Sequence, residues 1–106
     1  MGPSVTGWDG VPADGTAGGV RKRRIGGAGA ELVMVEVPAG TRAERHGHPH
    51  EQFVQVLAGG GTLETEAGAR EFRQGSVFHF PPGAWHAAEF ASDTVLVETN
   101  LRAEGG

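Results

Sequence analysis

The chain has 106 residues, enough for one domain with a modest core and too few for separate cofactor and substrate domains. Its nine basic and thirteen acidic side chains give a formal charge of −4, which argues against a nucleic-acid-binding surface and favours small metabolites as partners. The absence of cysteine excludes disulfides and thiolate ligands, so any metal must be held by histidine, carboxylate or amide groups.

The first residues, 1–19, are rich in Gly, Pro, Asp and Thr and predict a flexible N-terminal arm. They lack an apolar segment behind a basic start, and no later stretch approaches about 18 consecutive apolar residues. We therefore expect a cytoplasmic protein without a membrane partner. The basic run at 21–24 is conceivable as a phosphate-binding patch, although a solvated strand is the simpler interpretation.

Short strands are predicted throughout the rest of the chain, because nineteen glycines and six prolines separate runs rich in Val and Phe. The predicted strands cover 31–37, 53–57, 62–66, 70–73, 77–80, 85–90 and 94–101. No segment longer than a turn has the apolar spacing of an amphipathic helix. The pattern predicts an all-β sandwich or barrel over 20–102, followed by a C-terminal tail at 103–106.

Four of the five histidines lie in or near two turns rich in Gly and Pro. His46, His48 and His50 alternate, so an extended conformation would place their side chains on one face. Gln52 continues this alternation, and His86 follows a later turn that the fold can bring back across the barrel. Imidazole is a common ligand of transition metals, and an amide oxygen can fill a further position. An isolated His-x-His pair would be interpreted more simply as metal-free.

The spacing between these candidate ligands and the glycines and prolines around them extends the pattern. From Gly40 the chain runs five residues to His46, one to His48, three to Gln52 and six to Gly59; from Gly75 it runs five to Pro81, one to Gly83 and two to His86. This pattern resembles the paired motif of the cupin superfamily, and His-Gly-His-Pro-His-Glu-Gln is similar to the metal loop of its small one-domain members. The resemblance covers roughly 20–101 and implies a single cupin barrel, a double-stranded β-helix or jelly roll.

By that resemblance, His46, His48, Gln52 and His86 hold one divalent transition metal, with Gln52 where the family more often has a glutamate. Ligand type does not decide between Ni, Zn, Mn and Fe. Three neutral imidazoles and a neutral amide leave the charge of the ion uncompensated, which favours an anionic, oxygenated substrate. Small cupins with this glutamine include ones that resemble uronate-processing and antibiotic-biosynthesis proteins. The turn glycines match, and Phe90 stands where the family usually has asparagine.

Glu98 is the candidate catalytic base. The last predicted strand places Leu96, Glu98 and Asn100 on one face, where a carboxylate could accept a proton. The opposite assignment, in which Val95 and Val97 face the core and Glu98 faces water, stays open.

Several neighbouring residues have more than one possible role. His50 is a candidate acid or base, a fifth ligand, or an exposed turn residue. Glu51 would replace Gln52 as a ligand if the turn shifts register. His79, between two phenylalanines, is expected to be a hydrogen-bonded core or rim histidine, and Trp85 is expected near the mouth of the pocket.

Three functions fit this sequence. The first is a non-redox isomerase, cyclase or lyase acting on an anionic metabolite at the metal. The second is an Fe(II)-dependent dioxygenase, and the third is a binding cupin without turnover. The resemblance to small cupins also implies a homodimer, in which the second subunit covers the N-terminal arm and a sheet edge that would otherwise favour aggregation.

Overall fold

The computed structural model describes residues 2–15 and 17–102, so the predicted tail at 103–106 lies outside the described residues. Single 3-10 turns form at Trp8–Gly10 and Ala17–Gly19. The strands are β1 (Asp14–Gly15), β2 (Arg21–Gly26), β3 (Ala30–Val37), β4 (Arg42–His46), β5 (Gln52–Ala58), β6 (Gly60–Thr65), β7 (Gly68–Arg73), β8 (Val77–Phe80), β9 (His86–Phe90) and β10 (Thr94–Leu101). The described part of the chain contains no helix long and apolar enough to cross a lipid bilayer.

The strands form two antiparallel sheets that face each other. The six-stranded sheet has the order β1-β2-β3-β10-β5-β8, and the four-stranded sheet has the order β4-β9-β6-β7. From β3 onwards the chain passes repeatedly between the two sheets, which wraps them into a jelly-roll barrel. The predicted all-β jelly-roll architecture is confirmed, and the seven predicted strands agree with β3 and β5–β10 to within about two residues at each end.

The core follows from the two-residue period of the strands. Val33, Val35 and Val37 of β3 are buried while the residues between them are more exposed, and β5 buries Val54 and Val56 in the same way. Burying each such side chain contributes about 1.5–3 kcal/mol. Among the described residues, the other buried apolar side chains are Phe72, Phe80, Phe90 and Leu96.

Turn glycines allow the chain to change sheets within a few residues. The four glycines that match the cupin pattern, Gly40, Gly59, Gly75 and Gly83, all have φ between 79° and 91°. At Gly59 the requirement is also steric, since a Cβ there would lie 2.2 Å from the backbone oxygen of Asp93. This glycine allows the turn between β5 and β6 to lie directly against the start of β10.

The end of the N-terminal arm joins the six-stranded sheet. Asp14 and Gly15 of β1 pair with Lys22 and Arg21 of β2. The flexibility expected of residues 1–19 stays a prediction, as do the domain bounds.

Candidate metal centre

Two of the predicted ligands are brought together by strand pairing. His46 ends β4, His86 begins β9, and the two residues are partners in the antiparallel ladder. A bulge between Ala43 and His46 shifts the register and sets this pairing. The centroids of the two imidazole rings are 4.3 Å apart.

His48 reaches the same point from a loop. Strand β4 ends at His46, so the premise of an extended stretch over 46–50 does not hold. Instead, the amide of Gly83 donates a hydrogen bond of 2.6 Å to the backbone oxygen of His48, which ties the loop to the turn before His86. The ring of His48 lies 5.1 Å from that of His46 and 5.5 Å from that of His86.

The three histidines could hold a metal ion. One nitrogen from each of His46, His48 and His86 lies within 4.8 Å of the others. Nδ1 of His46 is 2.7 Å from the backbone oxygen of Glu44. Because a carbonyl only accepts, Nδ1 carries the proton and Nε2 keeps its lone pair for a metal, as is usual for a histidine ligand whose other nitrogen donates to a carbonyl.

His86 is held neutral by its surroundings. It is 7% exposed, and its ring stacks on Phe80 at 3.9 Å with an angle of 7° between the planes. Burial, followed by the neighbouring His46 and His48, lowers the pKa of His86 from 6.5 to about 4. Nδ1 of His86 is buried without a partner in hydrogen-bond geometry, although the Ala84 backbone slightly opposes the pKa shift. An unpaired buried nitrogen is costly, and a bound ion would satisfy it.

Gln52 begins β5, in the sheet opposite the strands that carry His46 and His86. It is 3% exposed, and its Nε2 donates a hydrogen bond of 2.8 Å to Oδ1 of Asn100. The two residues are partners in the pairing of β5 with β10, which explains why their side chains meet. With the amide nitrogen engaged in this way, the amide oxygen is the end of Gln52 that remains for a metal.

A cavity of about 420 Å³ inside the barrel is lined by three of the four predicted ligands, and His48 lies outside its lining. Its lining includes His46, Gln52, His86 and Glu98 among apolar side chains such as Leu96. Glu98 therefore faces the interior with Leu96, as one of the two strand assignments expected. Burial raises the pKa of Glu98, while Lys22, Arg24, Asn100 and His46 act in the opposite direction.

A sequence model described as "Cupin domain" matches residues 33–99, which cover both clusters of predicted ligands. The chain belongs to the cupin family. Solved cupin structures support the same fold: an RmlC-like cupin from Shewanella frigidimarina has a TM-score of 0.86 at 19% identity, covering 98% of this chain and 95% of that chain. A comparison with curated proteins gives no match.

Two further solved structures that share this cupin fold are KdgF and ectoine synthase. KdgF from Halomonas sp. has a TM-score of 0.79 at 21% identity, covering 91% of this chain and 93% of that chain. Ectoine synthase from P. lautus has a TM-score of 0.83 at 18% identity, covering 93% and 78%. At these identities the likeness concerns the fold alone.

Other predicted residues of the cupin lie beside the centre or away from it. His50 stacks on His48 at 5.0 Å and its Nε2 is buried without a partner, but it does not line the cavity. Glu51 is turned outwards, where its Oε2 lies 2.6 Å from Nε2 of His79. His79 itself is exposed and stacks on Phe53. The alternative in which Glu51 replaces Gln52 finds no support in this geometry.

Trp85 does not line the cavity that His46 and His86 line, contrary to its expected place at the pocket mouth. Its ring lies under the guanidinium of Arg45, 3.8 Å from the ring centroid. This cation–π contact is worth about 0.5–1 kcal/mol at a partly exposed site, and it joins β4 to the turn before His86. Trp85 therefore holds the two ligand-bearing segments together from outside.

Lys22 is the cavity residue that the sequence interpretation missed. The basic run at 21–24 predicts one patch or one solvated strand, yet the structure divides it between two faces. Lys22 is paired with the buried Val35 and lines the cavity with His46 and Glu98. The alternation of side chains along a strand was the available signal, because it places Lys22 on the face opposite to Arg21 and Arg23.

Proposed function

We propose that this cupin binds one divalent transition metal through His46, His48, Gln52 and His86 and acts on an oxygenated anionic metabolite without redox change. The observation that carries the proposal is that Glu98, a half-buried carboxylate, lines the same cavity as the neutral donors His46, Gln52 and His86. Such a pair suits an isomerase, a cyclase or a lyase, since each of these can proceed through proton transfer beside a polarised oxygen.

The neutral donor set favours an anionic substrate. The lowered pKa values of His48 and His86 keep both imidazoles uncharged near neutral pH. With Gln52 as the further donor, no protein ligand offsets the charge of a divalent ion, so a carboxylate or enolate is the favoured additional ligand. A bound metal would supply Lewis-acid polarisation of a substrate carbonyl.

Glu98 is proposed as the group that moves the proton. Its side chain faces the cavity, and burial raises its pKa towards the range where a carboxylate serves as a base near neutral pH. It would accept a proton from carbon beside the carbonyl and return it to another atom of the substrate. The apolar side chains around it, Leu96 among them, limit the access of water to that step.

The fold neighbours are consistent with this class of chemistry. A predicted oxalate decarboxylase from Thermotoga maritima has a TM-score of 0.83 at 14% identity, covering 94% of this chain and 100% of that chain. Its name refers to a small anion, and ectoine synthase is named for a synthetic reaction. These names support a small-molecule enzyme and leave the specific activity to experiment.

The first experiment is elemental analysis of untagged protein purified without chelator, beside the variants His86→Ala and His79→Ala. We expect a near-stoichiometric metal in the wild type and in His79→Ala, whose histidine lies outside the cluster, and its loss in His86→Ala. Absence of metal from the wild type after reloading would overturn the proposal in favour of a metal-free binding cupin.

The second experiment tests proton transfer. We expect the metal-loaded protein to exchange deuterium into the carbon beside the carbonyl of at least one 2-oxo acid in a panel, followed by NMR without oxygen. Replacing a general base typically costs 10²–10⁴ in rate, so Glu98→Gln should lower exchange about a hundredfold while keeping the metal. A reaction that instead requires oxygen and iron would support a dioxygenase and overturn the non-redox assignment.

A further inference from the structure

Lys22 places a positive charge in the cavity of the proposed metal site. On β2 it pairs with Val35, which in turn pairs with Leu96 of β10, and these side chains face the barrel interior. The lining of the 420 Å³ cavity includes Lys22 together with His46 and Glu98. Residues before and after it, Arg21 and Arg23, fall on the opposite face of the strand.

The charge of Lys22 is not used by an ion pair within the described part of the chain. Arg23 pairs with Glu36 and Arg24 pairs with Glu31, but no described carboxylate lies within ion-pair distance of Lys22. A partly buried ammonium that lacks a protein counterion is a natural site for an anion.

The charges around the cavity favour a ligand with two negative groups. Arg42, another lining residue, is already paired with Glu89 at 2.6 Å. A divalent ion and Lys22 together carry three positive charges, whereas an ionised Glu98 carries one negative charge. The imidazoles are neutral and add no charge. The surplus amounts to two positive charges, so a dianion compensates it better than a monoanion does.

We propose that Lys22 binds a carboxylate of the substrate that is distinct from the oxygen-bearing group at the histidine cluster. The substrate is thus a small diacid, or an acid whose carboxylate is separated from the group held by the metal. This inference rests on the proposed function, which it deepens by assigning a second anchoring point and a substrate class. In this role Lys22 is a binding residue, and it fixes which end of the molecule meets Glu98.

The test compares mono- and dicarboxylates on the zinc-loaded protein by isothermal titration calorimetry. The probes are acetate, malonate, succinate and glutarate, and the variants are Lys22→Met, Lys22→Arg and Arg21→Met. Removing a charge-assisted contact should raise the Kd of the best dicarboxylate about tenfold or more in Lys22→Met. We expect the Kd of acetate to be unchanged, Lys22→Arg to retain most of the affinity, and Arg21→Met, on the outer face of the same strand, to match the wild type.

Two results would overturn the inference. Lys22→Met could bind every dicarboxylate as tightly as the wild type, or it could lose acetate and dicarboxylate affinity equally, which would reduce Lys22 to a general source of positive potential. Thermal unfolding and zinc content of Lys22→Met, both expected to match the wild type, exclude loss of the fold as the cause.

Failure of the metal site is distinguishable from failure of this inference. If the wild type holds no zinc, the proposed function fails, and succinate is titrated into the metal-free protein by NMR instead. Shifts that are present in the wild type and absent in Lys22→Met support the carboxylate site. Equal shifts in both proteins, or none in either, overturn it.

Discussion

At the scale of single residues, Gln52 decides the charge of the proposed site. Its amide is almost completely buried and is oriented by the hydrogen bond to Asn100. A buried amide needs such a partner, because an unsatisfied one costs about 1–3 kcal/mol. Asn100 thus fixes which atom of Gln52 is left for an ion, and the donor set stays neutral.

The substitution Gln52→Glu is expected to tighten metal binding and to weaken anion binding. A carboxylate would compensate one charge of the ion, and Asn100 can turn its amide to donate to it. Competition with a chelator should show a lower Kd for Zn²⁺, and calorimetry should show a higher Kd for succinate. The control Gln55→Glu changes the same strand on its exposed side. Unchanged metal and succinate affinities in Gln52→Glu would remove Gln52 from the ligand set.

His86 should make the stability of the metal-free protein depend on pH. Its pKa is about 4 in the folded protein against 6.5 for an ordinary histidine, so the unfolded state binds more protons between these values. The free energy of unfolding is therefore expected to fall as the pH is lowered from 6.5 towards 4. Urea denaturation of chelator-treated protein at several pH values measures this slope.

The matched variants for that experiment are His86→Asn and Gln55→Asn. The slope, rather than the absolute stability, is the readout. We expect a smaller slope in His86→Asn and the wild-type slope in Gln55→Asn, which replaces an exposed amide that does not titrate. Equal slopes in all three proteins would contradict the environment assigned to His86.

At the scale of elements, the site depends on a loop and a turn that clamp each other. The loop after β4 and the turn before β9 share the hydrogen bond from Gly83 to His48 and the contact of Arg45 with Trp85. Gly47 allows this approach, since a Cβ there would lie 3.1 Å from the backbone oxygen of Ala84. The pairing of β4 with β9 then aligns the remaining two histidines.

This arrangement explains what the sequence could and could not predict. Strand bounds were predictable because Gly and Pro interrupt runs with a two-residue period, and the inward alternation of β10 placed Glu98 among the candidates. The clustering of the histidines was predictable from spacing, but not the loop conformation at 47–51, which depends on a hydrogen bond to a residue more than thirty positions away. Lys22 and Trp85 were misplaced because their environments depend on which strand lies opposite.

Gly59 offers a test of the close approach between turns. Its φ is 84°, and an added Cβ would lie only 2.2 Å from the backbone oxygen of Asp93. Gly59→Ala therefore combines backbone strain with a clash and should lower the free energy of unfolding by about 3 kcal/mol. Gly68→Ala is the control, because Gly68 has φ of 107° and open space around the added methyl. It should cost about 1 kcal/mol. Equal costs in urea denaturation would contradict the steric part of the argument.

At the scale of the whole molecule, the outer face of the six-stranded sheet carries several apolar side chains. Their exposed fractions are 38% for Leu32, 38% for Phe53, 42% for Leu57 and 65% for Val77. The strand registers place Leu32 and Phe53 on either side of Thr99, so the face is continuous across three strands. This face is on the other side of the sheet from the metal cavity. A second copy of the chain would therefore cover it without changing the cavity lining.

We predict that the protein is a homodimer that buries this face. The double variant Leu57→Lys and Val77→Lys should be monomeric, because two lysines at each copy of the interface would be desolvated without partners. Light scattering at micromolar concentration measures the mass, with Ala69→Lys on the exposed side of β7 as the control that stays dimeric. Metal content should be the same in all three proteins, since none of the substituted side chains lines the cavity. A monomeric wild type would contradict the prediction. A double variant that remains dimeric would show that the interface lies on another surface, and the edge of the sheet would be the next to test.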